Sequence, residues 1–194
     1  MRHAIIIRMK YAPGDLRWPW RFGFFRDEVL PRILAQTDQE FDLWLRCHLF
    51  HAPVLRRLHP KVQTFSGKTP PGRYEIQTRT DTDDYLESGY IAKIKAVVRA
   101  EAQGQPLLVS FQPWKVLLAT GQKYRQRQFG PHEPSMFLSL YQPGSGPYLN
   151  IYATKHTLMH RLCPRVAVVP EGYCSLLIHQ QNDFSKLHKG DKPL

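Results

Sequence analysis

Residues 74–102 read YEIQTRTDTDDYLESGYIAKIKAVVRAEA, and this stretch decides the fold class. Residues 74–78 have the composition of a strand, residues 79–84 are polar and acidic, and residues 87–102 place apolar side chains at helical spacing. The apolar positions of that helix are Tyr90, Ile91, Ile94, Val97 and Val98. A strand that leads through polar residues into an amphipathic helix is typical of an α/β domain.

The segments before this stretch repeat the alternation. HAIIIRM at 3–9 is predicted to be a buried first strand, and FDLWLRC at 41–47 alternates as a second strand does. Between them, FFRDEVLPRILAQ at 24–36 has helical spacing that Pro31 interrupts. Residues 53–59 are predicted to form a short helix, and residues 60–72 a loop.

The second half of the chain is predicted to add strands to the same sheet. Strands at 107–111 and 116–119 are expected to form a hairpin around Gln112 and Pro113, followed by a basic loop at 120–135. Further strands are expected at 148–152, 165–169 and 173–178, with a helix near 155–162. We therefore predict one α/β domain over residues 1–185, with a mostly parallel central sheet flanked by helices, and a polar C-terminal tail at 186–194.

Composition limits the class of protein. The chain has 194 residues, 42% of them hydrophobic, which suits one folded domain. It has no apolar run long enough to span a bilayer, and MRHAIIIRMK lacks a small-residue cleavage site, so we expect a cytoplasmic protein. Its three cysteines form no C-x-x-C pair, which disfavours a disulfide scaffold or a cysteine-rich zinc module.

The net charge is +11, and the basic excess is spread along the chain. Such an excess suits a polyanionic partner, which can be a nucleic acid, an anionic membrane or a phosphate-bearing small molecule. A basic protein without any such partner is the alternative on charge alone.

Asp81, Asp83 and Asp84 are the strongest chemical signal. Three neighbouring carboxylates repel one another, and a divalent cation with oxygen ligands, Mg²⁺ or Mn²⁺, relieves that repulsion. Ligands of open α/β sheets bind beyond the carboxyl ends of the strands, where this cluster is expected. The alternative is the acidic start of a helix, with Asp84 as its cap.

The segment TRTDTDDYLESGYIAKIKAVV resembles the D-x-D region of GT-A glycosyltransferases, and RILAQTDQEFDLWLR resembles their first helix and second strand. More narrowly, the chain resembles a family of bacterial rhamnosyltransferases. The similar stretches are IIIRMK, RFGFFRDEVLPRILAQTDQEFDLWL, RTDTDD, YATKHTLM and LLIHQQNDFS, in the same order across most of residues 3–185.

The resemblance implies a single GT-A-like, Rossmann-like domain and a hexosyltransferase-like enzyme of the D-x-D type. Such an enzyme moves a sugar from a nucleotide-sugar donor to the hydroxyl of a saccharide or other glycan acceptor, with Mn²⁺ or Mg²⁺ as cofactor. It implies a metal site of Asp81, Asp83 and His179. For the donor it implies Arg8 and Arg79 at the diphosphate, Arg17 and Arg21 as second candidates, and Asp81, Asp84 and His156 beside them.

Two departures from the GT-A pattern concern the nucleobase and the general base. No carboxylate lies between Asp42 and Glu75 that could recognise the nucleobase, so its recognition is left to the main chain or to Arg46. Among the few acids after Glu101, Glu133 is the first candidate for the catalytic base and Glu171 the second. Without a placed base, the reaction would retain configuration or the protein would be inactive. Nothing in these residues selects rhamnose.

Other functions compete with this one. The charge and the mixed aromatic and basic stretches WPWRFGFFR and KYRQRQF favour a nucleic-acid-binding protein, or a phage-type glycosyltransferase that acts on modified DNA bases. A metal-dependent nuclease or phosphotransferase would use the three aspartates but normally needs further carboxylates. The histidine pairs His48/His51 and His156/His160 have metal-like spacing, which we interpret as incidental.

Overall fold

The computed structural model describes residues 1–117, 120–125, 132, 134–144, 147–170, 172–178 and 192–193. Its helices are α1 (Trp18–Phe24), α2 (Leu30–Leu34), α3 (Ala52–Arg56), α4 (Tyr90–Glu101) and α5 (Met159–Leu162). Its first six strands are β1 (His3–Met9), β2 (Asp42–Cys47), β3 (Val62–Phe65), β4 (Ile76–Asp81), β5 (Asp84–Leu86) and β6 (Leu107–Phe111). The other six are β7 (Trp114–Leu117), β8 (Lys123–Arg125), β9 (Leu138–Tyr141), β10 (Val166–Val169), β11 (Cys174–Ile178) and β12 (Lys192–Pro193).

Seven strands form the central sheet in the order β10-β6-β9-β4-β1-β2-β3. Four of its six pairings are parallel, and β9 runs antiparallel to both β4 and β6. The sheet is therefore mixed, with a parallel half built from β3, β2, β1 and β4. The carboxyl ends of these strands share one edge of the sheet, and the candidate site lies there.

Strand β1 is the centre of the core. All of its residues are buried except Arg8, as expected for a strand covered on both faces. Ile5, Ile7 and Met9 belong to the larger apolar cluster, and Ala4 and Ile6 to the smaller one on the other face. The alternation of strand side chains produces this division.

The five-stranded second sheet, β12-β8-β7-β11-β5, meets the first at the acidic residues. Strand β4 ends at Asp81 in the first sheet, and β5 begins at Asp84 in the second. The turn formed by Thr82 and Asp83 thus connects the two sheets, and the strands β4 and β5 before and after it fix its position.

Most predicted elements are present. The strand at 3–9 and the helix over 87–102 are confirmed as β1 and α4, and the buried residues of α4 are the predicted apolar ones together with Lys95. The helix expected at 24–36 begins earlier, at Trp18. A π-helical turn, Phe25–Val29, precedes Pro31, whose missing N–H and bulky ring disfavour a regular α-helix there.

Three predictions about the sheet are wrong. Strands β6 and β7 form no hairpin, because β6 pairs with β10 and β9, whereas β7 pairs with β11 and β8 of the second sheet. The loop predictions at 60–72 and 120–135 missed β3 and β8, and β9 was not predicted. No strand forms at 148–152, because side-chain amides of Gln77 and Gln142 bond the backbone of Leu149 and Ile151 instead.

Among the described residues, no helix is long and apolar enough to cross a membrane. The predicted domain end at residue 185 lies outside the described residues.

Candidate active site

A cleft of about 810 Å³ opens at the carboxyl ends of β1, β2 and β4. Its wall is strongly basic and includes Arg8, Lys10, Arg46 and Arg79, with Asp81 among them. The strand register explains this grouping. Arg8 on β1 lies opposite Arg46 on β2 and opposite Asp81 on β4, so three charged residues stand side by side across three adjacent strands.

Tyr152 organises two of the arginines. Its ring lies beneath the guanidinium carbons of Arg79, at 4.5 Å from the ring centroid, and of Arg8, at 5.7 Å. Its hydroxyl donates a hydrogen bond of 3.0 Å to the carbonyl oxygen of Ile6. The ring thus holds both guanidinium groups at the cleft by cation–π contact. Sequence reasoning missed Tyr152, although it lies in the YATKHTLM stretch.

The basic wall has the electrostatics of an anion site. Burial, and then the charge of Arg8, lower the pKa of Arg46. Burial, followed by the charges of Arg46 and Arg8, lowers the pKa of Lys10. The buried Nε of Arg46 has no hydrogen-bond partner among the described residues. These cations repel one another, and a bound anion such as a diphosphate relieves that repulsion.

The acidic turn adjoins this basic wall, and Asp81, Asp83 and Asp84 all line the cleft. Asp83 forms a buried ion pair with Arg21 of α1. The carboxylate of Asp84 accepts a hydrogen bond of 3.1 Å from the backbone N–H of Asp81. Asp83 and Asp84 therefore each have a defined structural partner.

Asp84 is not a helix cap. It begins β5, and α4 starts only at Tyr90, with Gly89 at the N-cap. The alternative interpretation of the acidic cluster as a helix start is therefore wrong, because β5 separates the cluster from the helix.

Two carboxyl groups of the acidic turn are buried, and burial raises their pKa values. Burial and the negative charge of Asp83 raise the pKa of Asp84 well above its usual value. Burial also raises the pKa of Asp81, against the opposing charge of Arg79. Burial therefore disfavours the ionised form of both carboxyl groups, and a divalent cation at the turn would favour it.

The carboxylates of the acidic turn can supply part of the oxygen ligands that a hard cation such as Mg²⁺ needs. Asp81, with Asp83 or Asp84, offers the one or two carboxylates that Mg²⁺ takes when substrate phosphates complete its shell. Among the described residues, no group of three or more histidine, cysteine or acidic side chains has the geometry of a protein-only metal site. The predicted ligand His179 lies outside the described residues, directly after β11, which runs antiparallel to β5 and pairs Leu176 with Asp84.

His156 lies in the cleft wall, as predicted for a donor-binding residue. Burial, helped by the charge of Arg79, lowers its pKa to about 4. The imidazole is therefore neutral at neutral pH and offers one hydrogen-bond donor and one acceptor. Arg17 and Arg21, the second candidates for the diphosphate, also line the cleft, with Arg17 hydrogen-bonded to Asp15.

The two candidate general bases, Glu133 and Glu171, lie outside the described residues, so their roles stay predictions. For His48/His51 the structure shows ring packing, and the interpretation of both histidine pairs as incidental stays a prediction. His51 is buried against Trp18, and the rings of His48 and His51 are 6.4 Å apart at a steep angle.

No family model and no curated protein matches the sequence. Solved structures do match the fold. Staphylococcus aureus TarS 1-349 in complex with UDP-GlcNAc has a TM-score of 0.56 and 10% identity, covering 97% of this chain and 62% of that one. The same protein in complex with UDP has a TM-score of 0.52 and 10% identity, covering 92% of this chain and 61% of that one. A third structure, of S. aureus TarS, has a TM-score of 0.50 and 10% identity, covering 92% of this chain and 37% of that one.

The chain thus spans about three fifths of the shorter TarS structures and 37% of the longer one. At this identity the likeness concerns the fold alone, which is a Rossmann-like α/β domain with a mixed central sheet flanked by helices. The predicted fold class is confirmed.

Proposed function

We propose that the chain is a glycosyltransferase that takes its sugar from a nucleotide-sugar donor bound in the basic cleft. The observation that carries the proposal is the row of Arg46, Arg8 and Asp81 across adjacent strand ends. This row lies where open α/β sheets bind ligands. The fold is shared with TarS, whose structures contain UDP-GlcNAc and UDP.

Arg8 and Arg79 are proposed to bind the donor diphosphate. Both are held against Tyr152, so they lose little side-chain entropy when an anion binds. Their fixed charge stabilises the nucleoside diphosphate as the bond from the anomeric carbon to the phosphate oxygen breaks and that oxygen takes the electron pair. Arg46 and Lys10 line the same cleft and are proposed to add positive charge to the donor site.

Asp81, together with Asp83, is proposed to hold Mn²⁺ or Mg²⁺ on the diphosphate, with Asp84 behind them and His179 as a further ligand. When bound, such a cation neutralises charge on the leaving diphosphate. Independently of that cation, Arg21 orients the turn through its pair with Asp83. The D-x-D assignment and the metal dependence belong to this proposal.

The acceptor is proposed to be a hydroxyl of a saccharide or other glycan. Its oxygen attacks the anomeric carbon while its proton passes to a base, for which Glu133 and then Glu171 are the candidates. His156, neutral at working pH, is proposed to hydrogen-bond the donor without adding charge. The resemblance alone supports a rhamnosyl donor.

The testing experiment measures thermal stability with UDP, GDP, CDP and dTDP, each with and without Mn²⁺. It compares the wild type with Asp81→Asn and with the matched control Asp27→Asn, whose carboxylate lies on the surface beside Arg26. A nucleotide at 100 times its dissociation constant should add about 2.7 kcal/mol to the unfolding free energy. We expect a Mn²⁺-dependent gain for one nucleotide, lost in Asp81→Asn and kept in Asp27→Asn.

A gain without Mn²⁺ that Asp81→Asn leaves unchanged would keep the donor site but remove the metal from the proposal. Stabilisation by DNA or RNA, with a steep salt dependence and no response to any nucleotide, would replace it with the nucleic-acid alternative.

A further inference from the structure

In the segment from His48 to Arg57, a polar side chain is buried while apolar side chains are exposed. Leu49 and Phe50 follow β2 and are each 69% exposed, whereas the neighbouring His51 is only 3% exposed. The ring of His51 stacks on Trp18 with 3.7 Å between the ring centroids. The chain thus buries the polar side chain and turns two large apolar ones outward. Exposed apolar side chains that cluster in this way mark an interaction surface.

Two further apolar side chains belong to this surface. Val54 on α3 is 40% exposed, and Leu16 is 94% exposed. The stack of Trp18 on His51 brings the turn that carries Leu16 beside the segment. We refer to Leu16, Leu49, Phe50 and Val54 as the apolar rim.

The surroundings of the apolar rim are basic. Arg56 and Arg57 end α3 and are exposed. Residues 43–74 contain six lysine or arginine residues and no aspartate or glutamate. The acid next to Leu16 in sequence, Asp15, is paired with Arg17 at 2.9 Å. A partner for this surface must therefore carry negative charge and also provide an apolar environment for the rim side chains.

We propose that the apolar rim, together with Arg56 and Arg57, docks on the surface of an anionic lipid bilayer. The four apolar side chains enter the boundary between headgroups and acyl chains, and the arginines bind the lipid phosphates. Interfacial binding strengthens with the apolar area that is buried and with electrostatic attraction to anionic lipids, and this surface offers both. A nucleic acid fits less well, because three of the four rim residues are aliphatic and cannot stack on bases as aromatic rings do.

The docking surface adjoins the cleft. Arg46 lines the cleft and lies three residues before Leu49, and Arg17 lines it next to Leu16. Docking would therefore hold the mouth of the cleft beside the membrane. The proposal does not depend on glycosyl transfer, and its test uses neither nucleotide nor sugar.

The experiment is vesicle co-sedimentation of the full chain with phosphatidylcholine vesicles, with and without phosphatidylglycerol. We expect binding to the anionic vesicles that weakens with salt. Two variants test the surface, Leu49→Ser/Phe50→Ser and Arg56→Gln/Arg57→Gln, and each should lower the partition coefficient by about tenfold or more. The matched control is Leu162→Ser/Val168→Ser, which removes two exposed apolar side chains near α5 and β10, at the opposite edge of the sheet.

The substituted positions are exposed, so the folded state should survive, and thermal unfolding of each variant checks this. A Phe50→Trp variant tests insertion into the bilayer directly, because brominated lipid quenches the fluorescence of a tryptophan that enters the bilayer. No binding to anionic vesicles would overturn the proposal, as would equal losses in the rim variant and the control. Binding to single-stranded oligonucleotides that depends on Phe50, without vesicle binding, would assign the surface to nucleic acid instead.

Discussion

Arg21 of α1 and Asp83 of the acidic turn form a buried ion pair that joins two distant parts of the sequence. The pair fixes the turn between β4 and β5 against the helix that follows β1. Asp81, at the end of β4, lines the cleft beside its strand partner Arg8, and the ion pair holds the neighbouring Asp83 against α1.

Replacing Arg21 by Gln should lower the unfolding free energy by about 3 kcal/mol, because removing one partner leaves the other buried without its counter-charge. Urea unfolding of the variant measures the loss. The double variant Arg21→Gln/Asp83→Asn is the control, and it should recover much of the stability. A double variant no more stable than Arg21→Gln would show that the charge of Asp83 is not what this pair neutralises.

Tyr152 should affect donor binding through its ring more than through its hydroxyl. Tyr152→Phe keeps the surface under Arg8 and Arg79 and loses one hydrogen bond, which costs about 1 kcal/mol of stability. Tyr152→Leu removes the cation–π contacts and should weaken nucleoside diphosphate binding by about tenfold. Isothermal titration calorimetry with the nucleotide that stabilises the wild type compares the two variants. Equal affinities for the Phe and Leu variants would contradict this role.

Asp84→Asn should stabilise the protein, and more so at higher pH. The pKa of Asp84 is raised in the folded state, so folding favours the protonated carboxyl, and this contribution is lost as the pH rises through the folded-state pKa. The asparagine oxygen can still accept the hydrogen bond from Asp81. Urea unfolding in a chelating buffer should show a stability difference that grows as the pH rises above the ordinary aspartate pKa towards the raised folded-state pKa. A difference that shrinks with pH would mean that Asp84 is favoured in its ionised form.

His3 should make the protein acid-sensitive. Burial, helped by the charge of Lys95, lowers its pKa to about 3, while its ring nitrogen hydrogen-bonds the Thr78 hydroxyl at 2.7 Å. The unfolded chain takes up a proton near the ordinary histidine pKa and the folded chain does not, so stability falls as the pH falls. Relative to His3→Gln, the wild type should lose about 2 kcal/mol between pH 7 and pH 5. Parallel pH profiles for the two proteins would show that His3 titrates normally.

The parallel half of the fold was predictable because its signals are local. The run at residues 3–9 and the alternation at 41–47 identify β1 and β2, and the spacing of Tyr90, Ile91 and Ile94 identifies α4. The short strands were missed for a physical reason. β3, β8 and β9 have three or four residues each, and long-range pairing stabilises them more than their own composition does.

The residues of the candidate site were likewise only partly predictable from the sequence. The position of Asp81, Asp83 and Asp84 after a predicted strand suggested a site there, whereas Arg8, Arg79 and His156 became candidates through the family resemblance, and the roles of all six stay predictions. Tyr152 was missed, because its partners lie 73 and 144 residues earlier in the sequence and no periodicity connects them. The sequence also left open whether Asp84 caps a helix, which depends on the strand that follows it.

The amino-acid sequence by itself determined the α/β class, the buried central strand and the charges available for a site, since these follow from periodicity and residue chemistry. Only the tertiary structure decided which charges meet. Strand register places Arg46, Arg8 and Asp81 side by side, and α1 delivers Arg21 to Asp83. Such contacts depend on how distant segments pair and pack, and the free energy that selects them belongs to the whole core rather than to any one segment.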